Sequence, residues 1–236
     1  MLYDYDPGRG QAVPKRLLAG FTGYLQTDGY DGYNALVALN GLTHVGCMAH
    51  ARRKFSEAVE AQGRKKTGQA HRGLALIHKL YRIEKQVRKL NRAQRHDHRQ
   101  RHARPILEAL RTWLDEALPQ VPPTSATGKA LNYLHNEWDE LIRYLYDGRL
   151  EIDNNRAENA VRPFVLGCKN RLFSDSAKGV KASANLYSLI ETAKINGLEP
   201  DAYLRHLYTA LPKAETVEAI EALLPGTIEK NQISNR

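Results

Sequence analysis

Two acidic residues stand where chemistry would want them. Asp28 lies in the run Leu25–Gly29 (LQTDG), where a short apolar-polar strand should close, and Glu158 lies in LEIDNNRAENAVRPFVLGCKNR, among Asn and Arg. Strand ends are where open α/β sheets place ligands. Carboxylates drawn together from distant segments, in a basic chain, point to metal-assisted chemistry on a phosphate backbone. Each also has a plainer reading. Asp before Gly is a common turn pair, and Glu158 could pair with Arg162 one helical turn on. Glu151 and Asp153 are nearby rivals for the acidic role, with Asp153 the expected N-cap of the helix and Pro163 its expected limit.

Around these acids lie further candidates. Cys47 and His50 form C-x2-H, extended by His44 to H-x2-C-x2-H. A structural zinc site needs four ligands, and at most three cluster here in sequence, so zinc is disfavoured and a packed Cys beside a hydrogen-bonding His is expected. Arg52, Arg53 and Lys54 follow directly, and Arg162, Lys169 and Arg171 flank Glu158. Both groups suit phosphate contacts. There is no Walker loop, G-x-G-x-x-G, G-x-S-x-G or H-E-x-x-H, which argues against nucleotide-cofactor, serine-hydrolase and zincin chemistry.

The elements that must position these residues fall into three stretches. Residues 1–47 read as mixed α/β: strands at Leu2–Asp6, Tyr24–Thr27 and Leu42–Cys47, with helices at Val13–Gly20 and Tyr33–Leu39. From Met48 to Gly148 the pattern is helical. Leu76, Leu80, Ile83, Val87 and Leu90 make one seam, and Leu131, Leu134, Trp138, Leu141 and Leu145 another. Ile106, Leu107, Leu110, Trp113 and Leu114 mark a helix between them. After Gly148 come the segment of Glu158, then helices at Ser183–Asn196, Pro200–Leu211 and Thr216–Leu224.

Net charge is +9 over 236 residues, and it is concentrated. Residues 64–104 carry 14 Lys/Arg against Glu84 and Asp97, so the stripe holds +12 and the remainder is acidic. Such a stripe suits DNA or RNA, the alternative being a solvated Lys/Arg-rich face. No apolar run reaches membrane-spanning length, the N-terminus has no signal-peptide pattern, and two distant cysteines suggest no disulfide framework. The expected setting is the cytoplasm, without a membrane partner.

Four blocks in order, GYLQTDGYDGYNAL, HVGCMAHARRKF, LEIDNNRAENAVRPFVLGCKNRLF and ANLYSLIETAKINGLEPDAYL, resemble the bacterial insertion sequence 66 family of transposases. The resemblance runs from Tyr3 to about Pro225. It implies an α+β architecture: a ribonuclease-H-like core carrying an Asp-Asp-Glu triad and two Mg²⁺ ions (Mn²⁺ substituting), with a large helical insertion and a helical C-terminus. The triad's second Asp maps to Asp28 and its Glu to Glu158, and Cys47 and His50 match a motif such transposases often show after the second Asp. The implied organisation is 1–50 and 149–212 as the two parts of the core, 51–148 as the insertion, and 213–236 as a terminal helix and tail. The family's first catalytic Asp belongs to a strand before this chain's first residues, with Leu2–Asp6 then the second strand. The expectation is an N-terminally truncated transposase, its first core strand missing, unable to cleave DNA alone. Its implied partners are transposon ends, target DNA, and copies of itself or accessory insertion-sequence proteins. Two other readings stand beside it: a non-catalytic DNA-binding or assembly module using residues 64–104, and a nuclease acting on RNA.

Overall fold

In the computed structural model the described residues are 1–8, 10–29, 31–33, 41–63, 67–170, 176–228 and 233, without the side chains of 31 and 168–170. The chain is mostly helical, with a small parallel sheet, and divides into two compact units. One comprises residues 9–158 and the other residues 1–8 with 159–236.

In the first unit, helix α1 (Ala12–Leu17) leads to strand β1 (Tyr24–Gln26), which pairs in parallel with β2 (Thr43–Val45). The register sets Tyr24 against Thr43, Leu25 against His44 and Gln26 against Val45. Parallel pairing requires a crossover, so residues 27–42 must return the chain to the start of β2. The expected helix at Tyr33–Leu39 lies largely outside the described residues. Beyond the sheet come α2 (Met48–Ala61), α3 (Gln69–Val87), α4 (Arg92–His102), α5 (Arg104–Ala117), α6 (Ala126–Asn136) and α7 (Trp138–Ile142).

These helices bury one apolar core containing Val45, Met48, Phe55, Ile77, Leu80, Leu110, Trp113, Leu131 and Leu141. The α5 seam lies where periodicity puts it: Leu107, Leu110, Trp113 and Leu114 are all buried. The α3 seam is largely the expected one: Leu80 and Val87 are buried and Leu76 and Ile83 pack against the core, while Leu90, beyond the helix, is exposed. Gly73 and Ile77 extend the buried line towards the helix start. A Cβ at Gly73 would stand 2.6 Å from Trp113 and 2.7 Å from Phe55, so the helix meets those rings where it carries no side chain. The seam from Leu131 to Leu145 is broken between α6 and α7, although Leu131, Leu134, Leu141 and Leu145 are buried as expected.

The basic stripe is not wholly a surface. Arg99 on α4 is fully buried, held by Glu84 of α3 in two short contacts (Nη2–Oε2 2.6 Å, Nε–Oε1 2.8 Å). It also donates to the carbonyls of Tyr144 and Asp147 and lies over the Tyr144 ring. Arg92 and Arg95 are tied to Asp147 and Glu151. Asp147 is held down at about 2, chiefly by hydrogen bonding from the Arg149 side chain. By contrast, Arg72, Lys79, Arg82, Lys85, Arg88, Lys89 and Arg101 face solvent.

In the second unit the expected strand at Leu2–Asp6 is not formed. Its polar groups are satisfied by a helix instead: Tyr3 N donates to Ser188 Oγ at 2.8 Å and the Met1 amino group to Thr192 Oγ1 at 2.8 Å, both on α9 (Ala177–Ile195). Helix α8 (Asn155–Asn170) starts in the first unit and continues through Pro163, contrary to the expected stop. Proline removes the donor to the carbonyl four residues back, here Asn159, where the second unit begins. Phe164, next to that proline, stacks on Tyr3 and meets Tyr187 edge-on. On α9 the apolar face is shifted, with Ala184, Ser188 and Ala193 buried and Leu186 exposed. Helices α10 (Pro200–Ala210) and α11 (Val217–Glu221) follow, and Tyr203, Leu207, Leu198, Ala193, Ile228 and Ile233 form a second small core.

Removing one partner of a buried ion pair leaves an uncompensated charge, at a cost of about 3–5 kcal/mol. Arg99→Ala is therefore expected to destabilise the chain on that scale in urea denaturation. Arg101→Ala, two residues on and exposed, should stay within about 0.5 kcal/mol. Equal effects from the two would show that the Arg99–Glu84 pair is not an internal support.

Candidate active site

The site is assembled at the carboxyl ends of the two strands. Gln26, the last residue of β1, sends its side-chain amide to the carbonyls of Gly46 (3.2 Å) and Glu151 (2.9 Å). Met48 N, at the start of α2, donates to Ile152 O at 3.0 Å. The segment 151–154 is thereby held against both strand ends. Asp28 lies two residues beyond β1, Cys47 and His50 follow β2, and Glu158 occupies the first turn of α8.

Asp28 precedes Gly29, which adopts φ 82°, a conformation that glycine tolerates and most residues do not. The Asp28 carbonyl accepts from Tyr133 Oη at 3.2 Å. The Tyr133 hydroxyl is pushed up, first by burial and then by the negative charge of Glu137, with Arg53 opposing. Thr27 meanwhile engages His44 (Oγ1···Nε2 2.6 Å), and burial lowers the His44 pKa. His44 is therefore occupied beside β1 and is not part of the Cys47/His50 cluster.

Cys47 is buried, and it interlocks with the residue before α8. Its Sγ donates to Asn154 Oδ1 at 2.9 Å and accepts from Asn154 N at 3.4 Å. Asn154, not Asp153, immediately precedes the helix. Asp153 is spent one residue earlier, accepting from Tyr81 Oη (2.8 Å) and from the backbone and side chain of Asn155. Glu151 pairs with Arg95. Both rivals of Glu158 are consequently committed to structural contacts. Glu158 instead has its Oε1 3.7 Å from His50 Nε2, its side chain 46% exposed. Metal-ligating atoms of Cys47, His50 and Glu158 all lie within 4.8 Å of one another.

A cleft of about 340 Å³ opens here, lined by His50, Arg52, Arg53, Ser56, Asn155 and Glu158. Arg53 is exposed; Arg52 is half-buried with its guanidinium 4.4 Å over the Tyr81 ring; Lys54 lies 5.0 Å over the Tyr133 ring. Of the three expected phosphate ligands, Arg52 and Arg53 reach the cleft, while Lys54 is stacked elsewhere. Arg162 is an exposed residue of α8 within the second unit. The Lys169 side chain and Arg171 lie outside the described residues. Sequence reasoning missed Gln26, Tyr133 and Asn154. Their signals were weak: a Gln ending a strand, a Tyr on a core helix, and one Asn among three.

Residues 1–182 match the model of the Transposase IS66 family, and residues 188–225 match that of the IS66 C-terminal element. The chain belongs to the IS66 transposase family. Two relatives from Sinorhizobium fredii (strain NBRC 101917 / NGR234) bear only the names uncharacterized protein y4qI and y4jD. The first is 34% identical over 238 residues, the alignment covering 98% of this chain and 44% of the relative. The second is 31% identical, with 98% and 46% covered. This family member therefore spans less than half the length of those relatives. No solved structure matches it. No helix among the described residues is long and apolar enough to cross a membrane.

Because burial pushes the Cys47 thiol up, its thiolate fraction near neutral pH falls below that of an ordinary cysteine. In a Cys168→Ser background, Cys47 alkylation at pH 7.5 is expected to be at least about tenfold slower in the native chain than in urea. The native rate should keep rising with pH beyond the usual thiol range. Equal native and unfolded rates would contradict the interlock with Asn154.

Proposed function

We propose that this chain carries part of the catalytic apparatus of a DNA transposase, with Asp28 and Glu158 as two of its metal-binding acids. The supporting observation is the convergence of both strand ends on segment 151–154, through Gln26 to Glu151 and Met48 to Ile152. Asp28 follows β1 by two residues and Glu158 opens α8 just after that segment; in this reading the two acids meet at the end of the parallel sheet, as a ribonuclease-H-like core would require. In this reading the helices between Ala51 and Gly148 are an insertion between the two halves of that core.

The donors of this reading suit a hard cation: the carboxylates of Asp28 and Glu158, the latter sharing its cleft with the Asn155 amide and the Ser56 hydroxyl. Mg²⁺ bound by Asp28 and Glu158, with Mn²⁺ substituting, would supply Lewis acidity and charge neutralisation at the scissile phosphate. The chain's own contribution is positioning. Arg52 and Arg53 offer guanidinium groups to phosphate oxygens at the mouth of the cleft. Tyr81 and Asp153 fix the ground on which Arg52 rests. Water, and afterwards a freed 3′-hydroxyl, is the nucleophile, so no side-chain nucleophile is required. DNA ends and target DNA are the substrates of this reading, with further copies or accessory proteins as partners.

Mn²⁺ binding followed by electron paramagnetic resonance tests the assignment. Asp28→Asn and Glu158→Gln should each weaken binding at least about tenfold. The double variant should lose little more than either single one, because residues acting on one site are not additive. Unchanged affinity in both single variants would remove the metal reading.

One observation favours a second reading, a DNA-binding or assembly module: the exposed cations Lys79, Arg82, Lys85, Arg88 and Lys89 on and after α3. It predicts DNA binding indifferent to divalent metal. Neutralising Lys85, Arg88 and Lys89 together should then lower the salt slope of DNA affinity by about 2–3. A slope unchanged by that triple variant would dismiss the stripe as the binding surface.

A further inference from the structure

We propose that Cys47, His50 and Glu158 form a three-ligand site for a borderline-soft divalent cation of the zinc class, with a fourth position open. The ligand types are mixed sulfur, nitrogen and oxygen, as such ions accept and Mg²⁺ does not. The residues come from two elements, Cys47 and His50 from the β2–α2 junction and Glu158 from α8, so a cation would cross-link them. This site stands apart from the hard-metal reading in its donors, but it shares Glu158 with it.

Three observations besides proximity support the assignment. His50 Nδ1 is buried without a hydrogen-bond partner, and Nε2 lies 3.7 Å from Glu158 Oε1, beyond hydrogen-bond length. Neither imidazole nitrogen is therefore committed to a protein hydrogen bond, leaving the ring available as a ligand. Second, Cys47 is buried and stands immediately before the 14-residue helix α2, whose N-terminal N–H groups suit a negatively charged ligand. Third, Asn154 is placed to support a bound thiolate. Its N–H already points at Sγ, and turning its side-chain amide by half a revolution would offer Nδ2 in place of Oδ1.

The geometry is close to what coordination needs. Metal–ligand lengths of about 2.0–2.3 Å give tetrahedral edges of about 3.3–3.6 Å. The three ligand atoms, already within 4.8 Å of one another, need close by at most about 1.2–1.5 Å. Binding displaces the thiol proton to solvent, and the charge then balances as a divalent ion with one thiolate and one carboxylate. His50 and Glu158 line the same cleft as Arg52 and Arg53, so water or an anionic oxygen in that cleft would be the fourth ligand. With Glu158 engaged by such an ion, its carboxylate is withdrawn from Mg²⁺, and the site becomes inhibitory for any reaction that needs it.

Cobalt(II) titration of the whole chain reads the site directly. The expected result is a near-ultraviolet thiolate-to-cobalt charge-transfer band with the intense visible absorption of four-coordinate cobalt, both displaced by equimolar zinc. Cys47→Ser should abolish the charge-transfer band, and Cys168→Ser should leave it. His50→Ala and Glu158→Gln should each weaken cobalt binding at least about tenfold. Zinc X-ray absorption on the unaltered chain needs no variant, and should give one sulfur with nitrogen and oxygen neighbours. Absence of the thiolate band, its persistence in Cys47→Ser, or a zinc shell without sulfur would overturn the proposal. Asp28→Asn separates the two readings: it should lose Mn²⁺ affinity while keeping the cobalt band, and loss of both would merge the two sites into one.

Discussion

Everything placed at the candidate site depends on how residues 151–154 are fastened to the ends of two short strands. Gln26 reaches the Glu151 carbonyl across 125 positions of sequence, Met48 N takes the carbonyl of Ile152, and Cys47 interlocks with Asn154. Each such bond contributes only about 1 kcal/mol net. Their force is geometric: three attachments within four residues fix the chain that enters the first turn of α8. Glu158 then follows from helical geometry, one turn beyond Asn154. A two-stranded sheet has little stability of its own. Here it is supported by the helical core, since Val45 is buried within it and Gly46 N donates to Glu140 O of α7.

The same helices show why a count of charges does not describe a surface. Arg99 belongs by sequence to the most basic stretch of the chain, yet it is the residue that joins α3, α4 and the turn at Tyr144–Asp147. Its pairing with Glu84 draws one of only two acids in that stretch inward as well. The charged side chains that remain exposed on α3 and just after it are all cationic. The inward pair therefore sharpens the outward field, although the net charge of the stripe is unaltered.

Periodicity made most of the fold legible. The strands at β1 and β2, the α5 seam and the stops at Gly197 and near Pro119 follow from local pattern. The misses are instructive because each concerns a partner that local pattern cannot name. Leu2–Asp6 alternates as a strand would, but its backbone is satisfied by hydroxyls of Ser188 and Thr192 on a helix. The contact of α3 with Trp113 and Phe55 was not legible because Gly73, which makes it, has no apolar side chain to register in a pattern. Pro163 lies within α8 and does not end it.

The site was legible in its parts and not in its grouping. Cys47 and His50 advertise themselves by spacing, and Glu158 by its setting, but nothing local joins residues more than a hundred positions apart. Elimination among the acids likewise needed coordinates. Glu151 and Asp153 look as capable as Glu158 until Arg95 and Tyr81 are seen to hold them. What the coordinates add is a conflict of preference. Glu158 shares its cleft with the oxygen donors of Ser56 and Asn155 and with the imidazole of His50, and lies within reach of the Cys47 sulfur. A single carboxylate cannot fully serve a hard and a soft ion together. Borderline-soft ions outbind Mg²⁺ at nitrogen and sulfur donors, so availability and geometry, not intrinsic affinity, must decide which ion Glu158 meets.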